Sequence, residues 1–299
     1  MSHGIGNGKV ILFGEHFVVH GAPAIAGGIS NQAIVDVKEA KENQIITRLV
    51  VVPDMSKAGI AAVLKSMKIK EKYDVTLTGD LPTYGGLGSS AAFCVALVRA
   101  FANEKKLKLT DEQVNQHAYD GEMAFHGNPS GVDNTMATYG GVMEYTRGKS
   151  LEESVFRKIN LRKSLDLVIS FSGKYSDTTK MIARVQKFKD NDQNEFQQLM
   201  DEYSNIENEA KKAIGAGNLN KIGELMNSNQ ALLSEVGVSD EKNDAINDIA
   251  LKGGAFGAKV AGGGGGGCCI ALAKDKKHAE KIMRSIKDHG FDAFITSIK

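Results

Sequence analysis

The sequence predicts an α+β protein built as two units, and three observations carry that prediction. Strand-like and helix-like segments are mixed along the whole chain instead of separating into blocks. The 299 residues are about twice the usual length of one domain. The apolar pattern is interrupted at Arg147-Gly148-Lys149-Ser150, and the second half changes character to charged and helical. A boundary near residues 147 to 164 follows, giving expected units of 1–160 and 161–299.

The elements can be justified in chain order. Val10-Ile11-Leu12-Phe13 is an apolar run ended by Gly14 and reads as a buried strand. Val75-Thr76-Leu77-Thr78 reads as another, broken by Pro82 and the run Tyr84 to Gly88. Ala91 to Ala102 is nearly all apolar, and its length and alanine content favour a buried helix. Thr110-Asp111-Glu112-Gln113 fits a capping box that opens a further helix. Val114, Ala118 and Glu122 share one face of that helix at four-residue spacing. Leu165 to Ser170 is a strand candidate, and residues 178 to 251 read as charged helix. From Ala255 the pattern is strand, glycine loop, strand (Cys268 to Ala273), helix (Lys277 to His289) and strand (Phe291 to Ile295). Gly290 stands where a helix C′ glycine belongs.

Composition excludes several classes. Hydrophobic residues make up 42% of the chain and the formal charge is +1, so disorder is not its main state. With 37 basic and 36 acidic side chains there is no basic excess, which argues against a nucleic-acid partner but leaves room for a local anion pocket. No stretch is long and apolar enough to span a bilayer, so no membrane association is expected. Met1-Ser2-His3-Gly4 lacks the layout of a signal peptide. Cys94, Cys268 and Cys269 have no zinc-ligand spacing; they imply free thiols in a reducing compartment, hence a cytoplasmic protein.

Most of the 33 glycines gather at four places, Gly4 to Gly14, Gly85 to Gly88, Gly127 to Gly141 and Gly253 to Gly267. In Gly85-Gly86-Leu87-Gly88-Ser89-Ser90-Ala91 a glycine loop runs into a helix N-terminus, an arrangement that binds anions, phosphate above all. Ser89 and Ser90 either cap that helix or ligate a metal ion on the phosphates; the alternative is a tight turn with a serine N-cap. The P-loop pattern fails, because Gly8-Lys9 is followed by Val10. Gly86 to Ala91 satisfies the loose dinucleotide pattern, but no acidic residue at a strand end appears about 20 positions on, which leaves a dehydrogenase as a distant alternative. Glu122 lies on an apolar helix face, where a carboxylate needs a partner or a cation. Asp133 follows the turn Pro129-Ser130-Gly131, ordinary aspartate chemistry in itself. Lys9 opens the first strand and Glu15-His16 close it. His16 and His20 share no evident helix face, so a zinc site is not expected. Gly262 to Gly267 is longer than a hairpin needs, which favours a loop approaching another segment or a ligand without side chains.

Three of these segments, in this order and spacing, resemble the signature motifs of the galactokinase, homoserine kinase, mevalonate kinase and phosphomevalonate kinase superfamily. The resemblance runs from Gly8 to Cys269. Gly8 to His16 looks like the mevalonate kinase form of the first motif, and His126-Gly127-Asn128-Pro129-Ser130-Gly131-Val132-Asp133-Asn134 is similar to the segment that holds the catalytic aspartate in that branch. The resemblance implies an N-terminal α/β domain of the ribosomal-protein-S5-like type and a ferredoxin-like C-terminal domain. It implies Mg²⁺-dependent transfer of the γ-phosphoryl of ATP to the 5-hydroxyl of (R)-mevalonate. Asp133 would face that hydroxyl, with Lys9 beside it and the transferred group. Ser90, with Ser89, and Glu122 would hold Mg²⁺. Gly85 to Ala91 would wrap the ATP phosphates, Glu15 and His16 would border the mevalonate pocket, and Gly262 to Gly267 would close over the site. Homodimers are common among similar kinases, and that assembly stays open.

The chain departs from the family pattern at three places. Gly6-Asn7-Gly8-Lys9 stands where Ala-Pro-Gly-Lys is usual, and Ala261 replaces a small hydroxyl residue. The Pro-Arg pair of many mevalonate kinases is absent from Ser172 to Lys180; Ser176-Asp177-Thr178-Thr179 keeps hydroxyls, and Thr179 is the expected substrate contact there. The rivals are a sibling kinase for phosphomevalonate or a sugar and a noncatalytic relative. The latter should have lost Lys9, Glu122 or Asp133.

Overall fold

A computed structural model of the chain describes residues 2–42, 44–47, 55–83, 85–127 and 129–299. Tyr84 and Asn128, both quoted in the motifs above, lie outside these described residues. Two units interleave along the chain: Met1–Lys9, Gly28–Thr83 and Gly88–Gly140 form the first, and Val10–Gly27, Tyr84–Leu87 and Gly141–Lys299 the second. The chain-order division at residue 160 differs from these units in segments 10–27, 84–87 and 141–160.

In the first unit, the part of strand β2 (Ala24–Ala40) from Gly28 onward pairs antiparallel with β4 (Lys72–Gly79), from Ala33 opposite Gly79 to Ala40 opposite Lys72. Strand β3 (Gln44–Thr47) adds to β4 in parallel. Strand β1 (Ser2–Phe13) pairs with β2. The strand expected at Val10–Phe13 thus begins at Ser2, and the glycines before it are strand residues. A Cβ on Gly4 would strike the carbonyl oxygen of Ala96, and one on Gly6 that of Ala92. Those alanines belong to helix α2 (Ser89–Glu104), almost wholly buried from Ala91 to Ala102. Alternate glycines therefore let β1 lie directly on a helix backbone. Arg99 of α2 fastens the contact by donating to the Ile5 carbonyl at 2.8 Å.

Helices α1 (Met55–Ser66), α3 (Asp111–His126) and α4 (Val132–Tyr139) complete the unit. The capping box of α3 is present: the Thr110 hydroxyl accepts from Gln113 N, and Gln113 Oε1 accepts from Thr110 N at 2.9 Å. Val114, Ala118 and Glu122 are all buried, so the four-residue spacing does define the inner face.

The second unit holds β5 (Val142–Thr146) and β6 (Val155–Ile159), paired antiparallel, with Arg147 to Ser150 in their connection. After them come β7 (Leu165–Phe171), helices α5 (Thr178–Asn191), α6 (Gln193–Ala216), α7 (Leu219–Glu235) and α8 (Glu241–Lys252), then β8 (Gly257–Ala261), β9 (Cys268–Ala273), α9 (Lys276–Asp288) and β10 (Asp292–Ile298). The four last strands are antiparallel in the order β10-β7-β9-β8. Numbered along the chain that order is 4-1-3-2, with helices after the first and third strands, which is the ferredoxin-like arrangement. Ala279, Ile282 and Ile286 of α9 pack on Val168, Ala271, Ala273 and Ala293 of the sheet. The three cysteines are buried and form no disulfide. Among the described residues no helix is long and apolar enough to cross a membrane.

Candidate active site

Strand β1 ends its first-unit stretch at Lys9, whose ammonium lies 3.1 Å from Asp133 Oδ1. Asp133 occupies the first turn of α4, launched by Gly131 at φ 82°. The Pro-Ser-Gly turn read from sequence therefore opens a helix, and the positive end of its dipole favours the carboxylate. Lys9 is buried while the Asp133 side chain is 30% exposed, so the cation lies underneath and the acid is open on one side.

Gly88 is the N-cap of α2, at φ 67°, and no side chain caps that helix. The serine N-cap alternative is thereby replaced: Ser89 and Ser90 form the first turn, and the cap is a glycine. A Cβ at position 88 would fall 2.8 Å from Lys9 Cγ and 3.7 Å from Asp133 Oδ2. The N-terminus of α2 thus borders the ion pair with backbone alone, leaving room and N–H groups for an anion.

Glu122, on the inner face of α3, is 1% exposed. Its Oε1 is buried without a hydrogen-bond partner. Burial, and then the like charge of Asp133, push its pKa up to about 8, against the opposing pull of the Ser90 hydroxyl and Lys9. His126 Nε2 stands 3.2 Å from Ser90 Oγ and 3.8 Å from Glu122 Oε2. A hard divalent cation fits this donor set, because it would satisfy the orphaned carboxylate oxygen and accept a hydroxyl ligand. Among the described residues no three His, Cys, Asp or Glu come together to hold a metal. Such a cation would therefore draw its other ligands from phosphate oxygens and water, the habit of Mg²⁺.

The second unit contains a different buried pair. Lys259 Nζ donates to Glu15 Oε1 at 2.5 Å and to the Val260 carbonyl at 2.7 Å, with both side chains at most 1% exposed. Burial pulls the lysine pKa down and Glu15 holds it up. Sequence reasoning marked this segment for its glycines and passed over the lysine. The available signal was a lysine flanked by Ala258 and Val260 inside a strand bounded by glycines. His16 sits at φ 64°, and its Nε2 is 2.8 Å from the Gly263 carbonyl. A carbonyl only accepts, so Nε2 carries the proton and Nδ1 of the neutral ring is an acceptor. Burial lowers the His16 pKa and favours that neutral ring.

The loop Gly262 to Gly267 is tethered rather than loose. Gly265 N donates to Val238 O and Gly267 N to Lys174 O, each at 2.7 Å. Asn243 donates to Gly266 O and accepts from Gly266 N. A Cβ on Gly263 would fall 2.6 Å from both Ser176 Oγ and Thr178 Oγ1. The hydroxyls of the departing segment thus pack on the glycine loop. Thr178 makes that approach, and Thr179 follows it in the first turn of α5, both side chains being exposed. A Cβ on Gly86, at φ 95°, would lie 3.3 Å from the Ala261 carbonyl, and one on Gly85 would meet open space. Leu87 and Ala91 are fully buried, so they have backbone alone to offer a ligand.

Known proteins match the chain over nearly its whole length. The GHMP kinases N terminal domain matches residues 55–141, and the GHMP kinases C terminal domain residues 210–292. A mevalonate kinase of Pyrococcus horikoshii is 30% identical over 97% of this chain and 93% of its own length. The crystal structure of L. major mevalonate kinase in complex with R-mevalonate matches with a TM-score of 0.93 at 35% identity, over 100% of this chain and 96% of that one. Methanococcus jannaschii mevalonate kinase matches with a TM-score of 0.83 at 26% identity, over 99% and 98%.

Proposed function

The chain belongs to the mevalonate kinase family of the GHMP kinases, and from that premise we propose that it transfers the γ-phosphoryl of ATP to the 5-hydroxyl of (R)-mevalonate, giving 5-phosphomevalonate and ADP. The observation that carries the reading is the Lys9–Asp133 pair set against a glycine-capped helix N-terminus. Phosphoryl transfer needs alignment and charge neutralisation more than covalent help from the protein. The first-turn N–H groups of α2 receive phosphate oxygens. Lys9 stabilises the charge on the moving group. The open side of Asp133 accepts a hydrogen bond from the alcohol and sets its oxygen in line. Because Lys9 neutralises Asp133, the carboxylate mainly orients, and the proton leaves late, as the O–P bond forms. In the second unit, His16 presents Nδ1 as an acceptor, its ring fixed by the Gly263 carbonyl. Mg²⁺ would be held by Ser90 and Glu122 and would supply neutralisation of the β- and γ-phosphates.

Asp133→Asn is expected to keep nucleotide affinity and to lose about 10²- to 10⁴-fold in kcat. Unchanged turnover in that variant would remove Asp133 from the mechanism. Product formation from mevalonate and from phosphomevalonate, measured with Mg²⁺ and then with chelator, tests the substrate. Faster turnover of phosphomevalonate would transfer the chain to the sibling reaction.

A further inference from the structure

We propose that His126 is a positioning residue: its Nε2 accepts a hydrogen bond from the Ser90 hydroxyl, which leaves the Ser90 oxygen lone pairs free for a cation shared with Glu122. The proposal deepens the cation reading above and rests on it. The ring stands on the last turn of α3, one turn beyond Glu122, with Nε2 3.2 Å from Ser90 Oγ and 3.8 Å from Glu122 Oε2. Two hydrogen-bonding arrangements satisfy the shorter contact. If Nε2–H donated to Ser90, it would occupy an oxygen lone pair and aim a positive dipole at the place where a cation meets the unpartnered Glu122 Oε1. If Nε2 accepts, the hydroxyl proton points away from that place, both oxygen lone pairs remain, and the proton of the neutral ring sits on Nδ1. A bound cation selects the second arrangement. The half-exposed ring is free to take it up. An outer partner of this kind governs how well a ligand is aimed, and its loss commonly lowers metal affinity 10- to 100-fold.

The test titrates Mg²⁺ into the full chain with a non-hydrolysable ATP analogue, read by nucleotide fluorescence. His126→Phe is expected to raise the Mg²⁺ half-saturation point about 10- to 100-fold, with Mg²⁺-free nucleotide affinity unchanged. His126→Gln, whose amide oxygen also accepts, should restore it to within a few-fold. ¹⁵N NMR of the Mg²⁺–nucleotide complex should show Nε2 of His126 without a proton. Ser90→Ala and Glu122→Gln run in parallel. If these two shift the Mg²⁺ dependence and His126→Phe does not, or if Nε2 is protonated in the complex, the positioning role is wrong while the cation site stands. If neither Ser90→Ala nor Glu122→Gln shifts it, the cation reading itself fails and takes the proposal with it.

Discussion

Glu122 keeps its proton to about pH 8 in the folded chain, against an ordinary value of 4.5. Between those values the folded state binds more protons than the unfolded one, so stability falls as pH rises from about 4.5 to about 8. Each unit of that interval is worth about 1.4 kcal/mol at most. Thermal unfolding between pH 5 and 8.5, without cation or nucleotide, should show this loss, and Glu122→Gln should flatten it. A variant with the same slope as the parent would assign the pH dependence to another group. Lys259→Met is expected to cost about 3–5 kcal/mol in urea unfolding, because it leaves Glu15 buried beside an apolar chain. Adding Glu15→Gln should recover part of that loss. The two residues differ in how far sequence revealed them. Glu122 was legible because helical spacing with Val114 and Ala118 put a carboxyl on an apolar face. Lys259 was not, because its partner lies 244 residues away and nothing local reports on that distance.

Helices α2 and α3 and strands β7 and β9 could be read from the chain because apolar periodicity and a capping box are local signals. Strand β2 escaped because Gly27-Gly28 resembles a break; a Cβ on Gly27 would strike Ile298 Cδ1, so the glycine there serves packing. Helix α4 is two turns long and follows Pro129-Ser130-Gly131, too short a segment to show a period. The glycines of β1 were noticed without their purpose. Gly4→Ala or Gly6→Ala should each destabilise the chain by about 1–3 kcal/mol or more, since the obstacle is helix backbone that cannot rotate aside. Gly85→Ala, with open space around its added methyl, should leave stability within about 0.5 kcal/mol. Denaturant midpoints of the three variants decide the matter, and equal shifts would refute the packing account. For the loop Gly262 to Gly267, the amides of Gly265 and Gly267 should exchange slowly with deuterium, being bonded to Val238 O and Lys174 O. Rapid exchange at both would return the segment to the class of flexible loops.

At the scale of the molecule, length and a charged second half pointed to two units but could not show that segment 10–27 joins the later one. A fragment of residues 161–299 would lack Glu15 against Lys259, Phe17 stacked on Tyr203 at 4.7 Å, and the Pro23 carbonyl that takes the Tyr203 hydroxyl at 2.7 Å. It is expected to melt without a cooperative transition, whereas the full chain unfolds cooperatively; a sharp calorimetric peak from the fragment would show that those contacts are dispensable. The Glu15–Lys259 pair also sets a clock on biosynthesis. Ribosomes add about 5–20 residues per second, so the acid waits about 12–50 s after its own incorporation before the matching amine is polymerised. Throughout that interval Lys259 has yet to be made, so the buried pair can form only when translation is nearly finished.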